Sequence, residues 1–388
     1  MPFECIAAPM PHLIVSISGH GFGHVAQTAP ILNLLHERMP QLRITVRSAV
    51  PLAHLHSRIH ARFTHLPDDS DIGMLMSSAL DVRIADSCAA YQKFHAEWEE
   101  RVADEARLLR ELKADLVFSN VAYLPLAGAQ QAGIPNAALC SLNWFDIYRH
   151  YCCPSTKPLV LSEVEGSGRS VDAMIAAQIY GCYANADAFL RVTPGMAMSD
   201  LTNLIPVAPI AAIGTNRRNE LNRHLKLAPD EKLVLVSMGG IASRLPIERW
   251  PRIKGVRWLV QKDWQAKHPD AIVLETLQIN FNDLLASSDA LICKPGYGSF
   301  VEAACSGVPV LYVNRPGWPE SPPLIAWLQL HGLCRVVSRD ALERGDVADI
   351  LNELWNAPRP ERVIPSGTAQ VAEWLMRNNC RSNFGRDS

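Results

Sequence analysis

Residues 289–320 read DALICKPGYGSFVEAACSGVPVLYVNRPGWPE, and their reading decides the fold. ALIC is a short apolar run of the length of a buried strand, and Lys294, Pro295, Gly296, Tyr297 and Gly298 make a glycine-rich turn. A helix follows from Ser299 to Ser306, and VPVLYV is a second buried strand. A strand, turn and helix in that order aim free backbone N–H groups and the positive helix end at one point, which suits a phosphate. On a helical wheel Ser299, Glu302 and Ser306 share one face, and Phe300, Val301, Ala304 and Cys305 share the other. The apolar face is expected to pack on a sheet. Glu302 would then stand beside the anion site, one turn in, able to accept hydrogen bonds from a pair of sugar hydroxyls. The plainer alternative is a βαβ crossover that happens to carry glycines.

Outward from this stretch, strands alternate with helices along the whole chain, which predicts parallel sheets covered by helices on both faces. The first half offers strands at HLIVSIS (12–18), LRITVRS (42–48), around Phe63, ADLVFSN (114–120), NAALCSL (136–142) and AFLRVTP (188–194). Residues 68–90 read as irregular, and 90–113 as one long helix whose charge is a solvated face. Residues 143–151 (NWFDIYRHY) form an aromatic and polar segment at a strand's C-terminal end, either a core-capping loop or part of a binding site. Residues 154–168 are a Pro/Ser/Gly-rich excursion of weak structure. LIPVAPIAAIGT, with Pro206 and Pro209, reads as an interdomain linker. The second half restarts at KLVLVSMGG (232–240), continues near Val256 and Ala271, runs through FNDLLASS into the opening stretch, and goes on to a strand at CRVVS (334–338).

The 388 residues lead us to expect two domains. A hydrophobic content of 48%, charged content of 20% and net charge of −2 describe an ordinary globular protein with no basic stripe for nucleic acid. The ten cysteines show no C-x-x-C and no zinc spacing, which predicts reduced thiols and a cytoplasmic location. The first residues lack a basic start and are broken by prolines, unlike a signal peptide, and no apolar run is long enough to span a bilayer. The last eight residues, RSNFGRDS, form a short polar tail expected to fray.

Three glycine-rich turns follow expected strands: Gly19/Gly21/Gly23, Gly239/Gly240 and Gly296/Gly298. The first is not the dinucleotide fingerprint, because its third glycine would fall on His24. The next strand ends in Arg47 and Ser48 and supplies no carboxylate for a cofactor ribose. No phosphate loop of the G-x-x-x-x-G-K-[ST] type occurs. His20 and His24 are the general-base candidates: a histidine at a helix N-terminus feels the positive dipole end, stays neutral near pH 7 and can take a proton from a hydroxyl. A metal pair and a purely structural histidine are the competing readings, and the metal pair lacks a third ligand.

Together the GHGFGH loop, the Asn-Trp-Phe-Asp segment, the SMGG turn and the motif Gly-x-Gly-Ser-x-x-Glu-Ala-x-x-x-Gly-Val-Pro resemble the GT-B glycosyltransferases. The resemblance is to the MurG-like enzymes and to the glycosyltransferase-like N-terminal region of arabinokinases, and it runs from about residue 12 to 337. The kinase half of arabinokinases is absent from it. The resemblance implies two Rossmann-like domains facing each other across a cleft, with a nucleotide sugar such as a UDP-sugar in the C-terminal one. It implies that Gly239 and Gly240 lie near the pyrophosphate and that Gly296, Gly298 and Ser299 contact phosphate oxygens. Glu302 falls at the donor-ribose position, and Glu320 near the position that touches donor sugar hydroxyls, where Ser321 departs from the family pattern. His24 matches the acceptor-side histidine, with His20 as its backup and Asp146 as an orienting carboxylate.

The expected division is an acceptor-side domain over 1–208, a donor domain over 209–365, and a C-terminal helix and tail over 366–388. The expected function is metal-independent, histidine-assisted transfer of a sugar from a nucleoside-diphosphate sugar to a hydroxyl acceptor, with no cofactor. The acceptor is a lipid, a glycan or a small molecule, and a lipid would bring peripheral membrane contact. The rival readings are a nucleotide-sugar hydrolase, a 2-epimerase, and a non-catalytic sugar-nucleotide-binding protein.

Overall fold

The computed structural model describes residues 11–68, 70–153, 170–241 and 243–381. The expectations for the first ten residues, for the excursion at 154–168 and for the tail beyond residue 381 fall outside them.

Among the described residues two parallel sheets form. The first contains β1 (His12–Ile17), β2 (Arg43–Arg47), β3 (Thr64–Leu66), β4 (Leu116–Asn120), β5 (Asn136–Cys140), β6 (Ala188–Val192) and β7 (Leu204–Val207), in the order β3-β2-β1-β4-β5-β6-β7. The second contains β8 (Lys232–Ser237), β9 (Val256–Val260), β10 (Ala271–Val273), β11 (Ala290–Cys293), β12 (Val310–Val313) and β13 (Cys334–Val337), in the order β10-β9-β8-β11-β12-β13. Every residue of β1, β4, β5, β11 and β12 is buried, as strands covered by helices on both faces must be. In each sheet the strand order reverses beside the first strand, between β1 and β4 and between β8 and β11. Such a switch point leaves a crevice at the C-terminal ends of the strands. The loops after β1, β4, β8 and β11 are therefore the ones placed to hold a ligand.

Several local expectations change. Residues 90–113 are not one helix but parts of two, Ile84–His95 and Trp98–Glu111. Their charge is not all solvated: Glu105 is buried and takes both arms of the Arg47 guanidinium, which also pairs with Asp68 at 2.6 Å. The aromatic segment is a helix, Trp144–Cys152, because Asn143 caps it by accepting from the Asp146 N–H. The expected linker begins as a strand. β7 pairs with β6 at the sheet edge, where Pro206 is tolerated because an edge strand need not donate on its outer side. Cys88 and Cys152 are joined in a disulfide, against the expectation of reduced thiols throughout; 64 residues separate them, so spacing gave no sign of it.

The C-terminal helix Gly367–Arg381 lies against the helix Gly23–Arg38 of the first domain. Gln370 Oε1 accepts from the Ala208 N–H at 2.9 Å, and Arg38 pairs with Glu373 at 3.7 Å. No helix among the described residues is long and apolar enough to cross a membrane.

Candidate functional site

The loop after β1 carries Gly19 to Gly23 into the helix Gly23–Arg38, whose first turn holds His24, 5% exposed. Asn120, the last residue of the neighbouring β4, accepts from His24 Nδ1 at 2.9 Å. The Asn120 amide nitrogen donates to Gln27 Oε1 and Thr28 Oγ1, both at 3.0 Å, so its oxygen is the atom left for the imidazole. The network therefore assigns the proton to Nδ1 and the lone pair to Nε2. Burial lowers the His24 pKa, with opposing contributions from the Asn120 hydrogen bond and the Glu320 charge. A neutral ring with a free Nε2 lone pair can accept a proton.

A relay leads from this pair into the second domain. Gln27 Nε2 donates to Ser141 Oγ at 2.8 Å, Ser141 donates to Glu320 Oε1 at 2.5 Å, and Trp318 Nε1 donates to Glu320 Oε2 at 3.1 Å. Glu320 is thus buried and fixed beside the first domain.

His20 has the opposite tautomer. Its Nδ1 accepts from the Met74 N–H at 3.4 Å, so Nε2 carries the hydrogen, and that N–H is sealed from solvent without a partner. Its ring stacks with Trp318 at 5.6 Å and meets Trp144 edge-on at 5.2 Å. Burial drives its pKa well below the usual value, and the neighbouring His24, Arg315 and Lys294 push it the same way.

From the second sheet, the turn after β8 presents Gly239 (φ +83°) and Gly240. A Cβ on Gly240 would stand 2.6 Å from the Phe22 ring, so this glycine is where the first domain's loop closes on the second. The turn after β11 presents Gly296, which precedes the helix Tyr297–Ser306. Gly298 and the half-buried Ser299 lie in that helix's first turn, and a Cβ on Gly298 would be 2.9 Å from the Ala26 Cβ. The Lys294 side chain folds between the two turns. Its Nζ would be 3.8 Å from a Cβ on Gly239 and 3.5 Å from one on Gly296. Burial pulls its pKa down to about 8, helped by the Arg315 charge and opposed by Glu320. Arg315, 4% exposed, stacks over Trp318 at 3.8 Å, and burial pulls its pKa down to about 10.

The sequence-derived residues thus divide. His20, His24, Gly239, Gly240, Gly296, Gly298, Ser299 and Glu320 are gathered where the domains meet. Glu302 is also at this junction but is already engaged: the Arg58 guanidinium, from the first domain, grips its Oε1 and Asn282 Oδ1. Asp146 instead pairs with Asn143, which donates to its Oδ2 at 2.9 Å, and burial raises its pKa. The reading from sequence missed Asn120, Lys294, Arg315 and Arg58. Asn120 had a signal, its place at the C-terminal end of a strand next to the glycine loop. A cavity of about 290 Å³ lies between the domains, lined by His20, Asp71, Met74, Met76, Gly240 and Ile241 among others.

No family model matches the chain. The L-arabinokinase of Arabidopsis thaliana is 24% identical over 350 residues, covering 87% of this chain but only 32% of the plant protein. The UDP-N-acetylglucosamine–N-acetylmuramyl-(pentapeptide) pyrophosphoryl-undecaprenol N-acetylglucosamine transferase of Synechococcus elongatus is 29% identical over 142 residues, 32% of this chain and 39% of that protein. The chain therefore spans well under half the length of these relatives. Among solved structures, the glycotransferase of kitacinnamycin superposes with a TM-score of 0.59 at 15% identity, over 97% of this chain and 96% of its own. With its two parallel sheets of reversed strand order and their facing glycine turns, the chain has the GT-B fold.

Proposed function

We propose that this protein is a glycosyltransferase that moves a sugar from a nucleoside-diphosphate sugar, such as a UDP-sugar, to a hydroxyl acceptor, without a metal. The observation that carries the reading is His24, held neutral with its Nε2 lone pair free, at a junction it shares with the Gly239/Gly240 and Gly296/Gly298 turns. In the reaction His24 Nε2 takes the acceptor's O–H proton while the acceptor oxygen bonds to the anomeric carbon. The bond from that carbon to the diphosphate oxygen breaks, and its electron pair stays on the diphosphate. The amides of the glycine turns and the N-terminus of the helix Tyr297–Ser306 receive the developing charge. Ser299 adds a hydroxyl on the same turn.

The test is a screen of nucleoside-diphosphate sugars against lipid, glycan and small-molecule hydroxyl acceptors, followed by His24→Ala. Removing a general base is expected to lower kcat by about 10²- to 10⁴-fold while the donor dissociation constant stays within about twofold. Activity should survive a chelator. Unchanged turnover in His24→Ala would overturn the base assignment, and sugar release at the full rate without any acceptor would make the protein a hydrolase instead.

A further inference from the structure

Residues 71–83 run as a strap from the first domain across to the second, and both ends of the strap are tied to one helix, Trp144–Cys152. At the incoming end Trp144 Nε1 donates to Asp71 Oδ2 at 2.7 Å, and Ser18 donates to Oδ1 at 3.1 Å. The strap then wraps His20: a Cβ on Gly73 (φ +59°) would stand 2.8 Å from His20 Nδ1, and the Met74 N–H donates to that nitrogen. Residues 75–83 fold back as a small hairpin, with Met76 opposite Val82, the Arg83 N–H donating to the Leu75 carbonyl and the Ser77 N–H to that of Asp81. The hairpin tip is lodged in the second domain. Ala79 is fully buried in the apolar cluster built on β8, β9 and β11, Leu80 packs against that cluster, and Arg339 takes both oxygens of Asp81 at 3.0 and 2.8 Å. At the outgoing end the chain enters the helix Ile84–His95, whose Cys88 is bonded to Cys152.

That bridge carries much of the outgoing attachment. Arg83, Ile84, Ala85 and Asp86 are exposed, so the start of the helix is pinned by Cys88 and by Ser87, whose hydroxyl bonds the Leu75 N–H and the Arg83 carbonyl. The bridge is not a general staple. The chain buries three large apolar clusters, and six further cysteines among the described residues are free thiols, five of them buried. Cys88 is half-buried beside the exposed Ala89, within reach of a small thiol. The adjacent Cys153 does not compete for the bridge at neutral pH. Burial, helped by Asp172, pushes its thiol up to about 11, and the thiolate is the attacking species.

We propose that the Cys88–Cys152 disulfide is a redox switch that sets whether the strap stays closed over the His20 side of the junction. A dithiol reductant breaks the S–S bond: its two electrons and two protons leave thiols on Cys88 and Cys152, and the reductant itself becomes a disulfide. The start of the helix Ile84–His95 then keeps Ser87 as its one buried anchor, and the hairpin loses its fixed outgoing end. The strap supplies Asp71, Ile72, Met74, Leu75 and Met76 to the cavity that His20 lines, so its release opens that wall. The switch stands apart from the sugar-transfer reading and is tested without any substrate.

The experiment compares the protein treated with oxidised glutathione and with dithiothreitol, without denaturant. Alkylation followed by mass spectrometry is expected to find two more reactive thiols in the reduced form, on Cys88 and Cys152. Backbone hydrogen exchange is then read in labelling pulses short enough that β1 and β4 stay protected in the oxidised form. In these pulses residues 71–83 should exchange at least about tenfold faster in the reduced form, β1 and β4 should stay protected, and reoxidation should restore the slow rate. Cys88→Ser should exchange at the fast rate in either buffer, and Cys153→Ser should respond as the wild type does. If Cys88→Ser does not fold, the wild-type comparison decides. Equal strap exchange in the two forms overturns the switch, as does a bridge that yields only on denaturation or never forms on oxidation. Loss of protection in β1 and β4 within the same pulses makes the bridge a structural staple and overturns the switch too. A response lost in Cys153→Ser overturns the assignment to Cys152.

Discussion

The lone pair on His24 Nε2 depends on how Asn120 spends its amide. With the nitrogen committed to Gln27 and Thr28, only the carbonyl oxygen can face the ring, and a carbonyl stabilises the imidazolium far less than a carboxylate would. Burial then lowers the His24 pKa below its usual 6.5. The base is competent when neutral, so kcat/KM should climb with pH through a value below 6.5 and be flat from there to about pH 8. Asn120→Asp puts an anion against Nδ1–H, which favours the charged ring, so the same limb should move up by about one to three units. A pH–rate profile of both proteins checks this, and coincident limbs would remove His24 from the rate-limiting proton transfer. The histidine itself was legible, because a glycine loop between a strand and a helix announces its place. Asn120 was not: it stands 96 residues away and gains its role from strand pairing alone. Lys294 lies inside the stretch that decides the fold, yet spacing does not report that its side chain folds between the two glycine turns.

The helices Gly23–Arg38 and Tyr297–Ser306 start at the two glycine turns and touch at their N-terminal ends, where Gly298 meets Ala26. A methyl on Gly298 would be only 2.9 Å from the Ala26 Cβ, and both atoms are rigidly attached to backbone, so the helices must separate. Overpacking of this kind costs about 1–3 kcal/mol, partly offset by the roughly 1 kcal/mol that alanine gains over glycine inside a helix. Gly298→Ala should therefore lower the melting temperature, and adding Ala26→Gly should restore most of it. Failure of the second change to rescue the first would show that the helices do not meet there in solution. Elements of this kind were the readable part of the sequence. Apolar runs bounded by turn residues mark twelve of the thirteen strands among the described residues, and β7 reads as linker because two prolines outweigh its four residues. The break at Ala96 and Glu97 between the helices Ile84–His95 and Trp98–Glu111 escaped notice because charge dominates their composition, and the ion pairing of Glu105 with Arg47 cannot be told from a solvated charge by pattern.

The two domains are held together by contacts that occupy the ligand-facing surface. Arg58 of the first domain grips Glu302 and Asn282 of the second, Ser141 donates to Glu320, Arg339 reaches Asp81 at 2.8 Å, and Tyr151 donates to the Gly317 carbonyl at 2.8 Å. One cavity of about 290 Å³ lies on the His20 side of this junction, lined by His20, Asp71 and Gly240 among others. If Glu302 takes the donor ribose, Arg58 must release it first. The side chains of Arg58 and Glu302 are 8% and 3% exposed, so the pair is buried, and removing one member leaves the other uncompensated until water reaches it. Arg58→Ala then acts on the closed, empty state: it removes a contact that competes with the donor and shifts the population toward the open form. Donor affinity should rise, by up to about tenfold for each 1.4 kcal/mol withdrawn from the closed state, and the radius of gyration of the free protein in X-ray scattering should increase. Glu302→Ala removes the same ion pair together with the ribose contact, so donor affinity should fall although the free protein opens in the same way. Two variants that break one ion pair with opposite effects on binding would identify Arg58 as the latch and Glu302 as the ligand contact. If both weaken the donor, the pair belongs to the loaded state, and the surface on which the ribose rests lies elsewhere in the cleft.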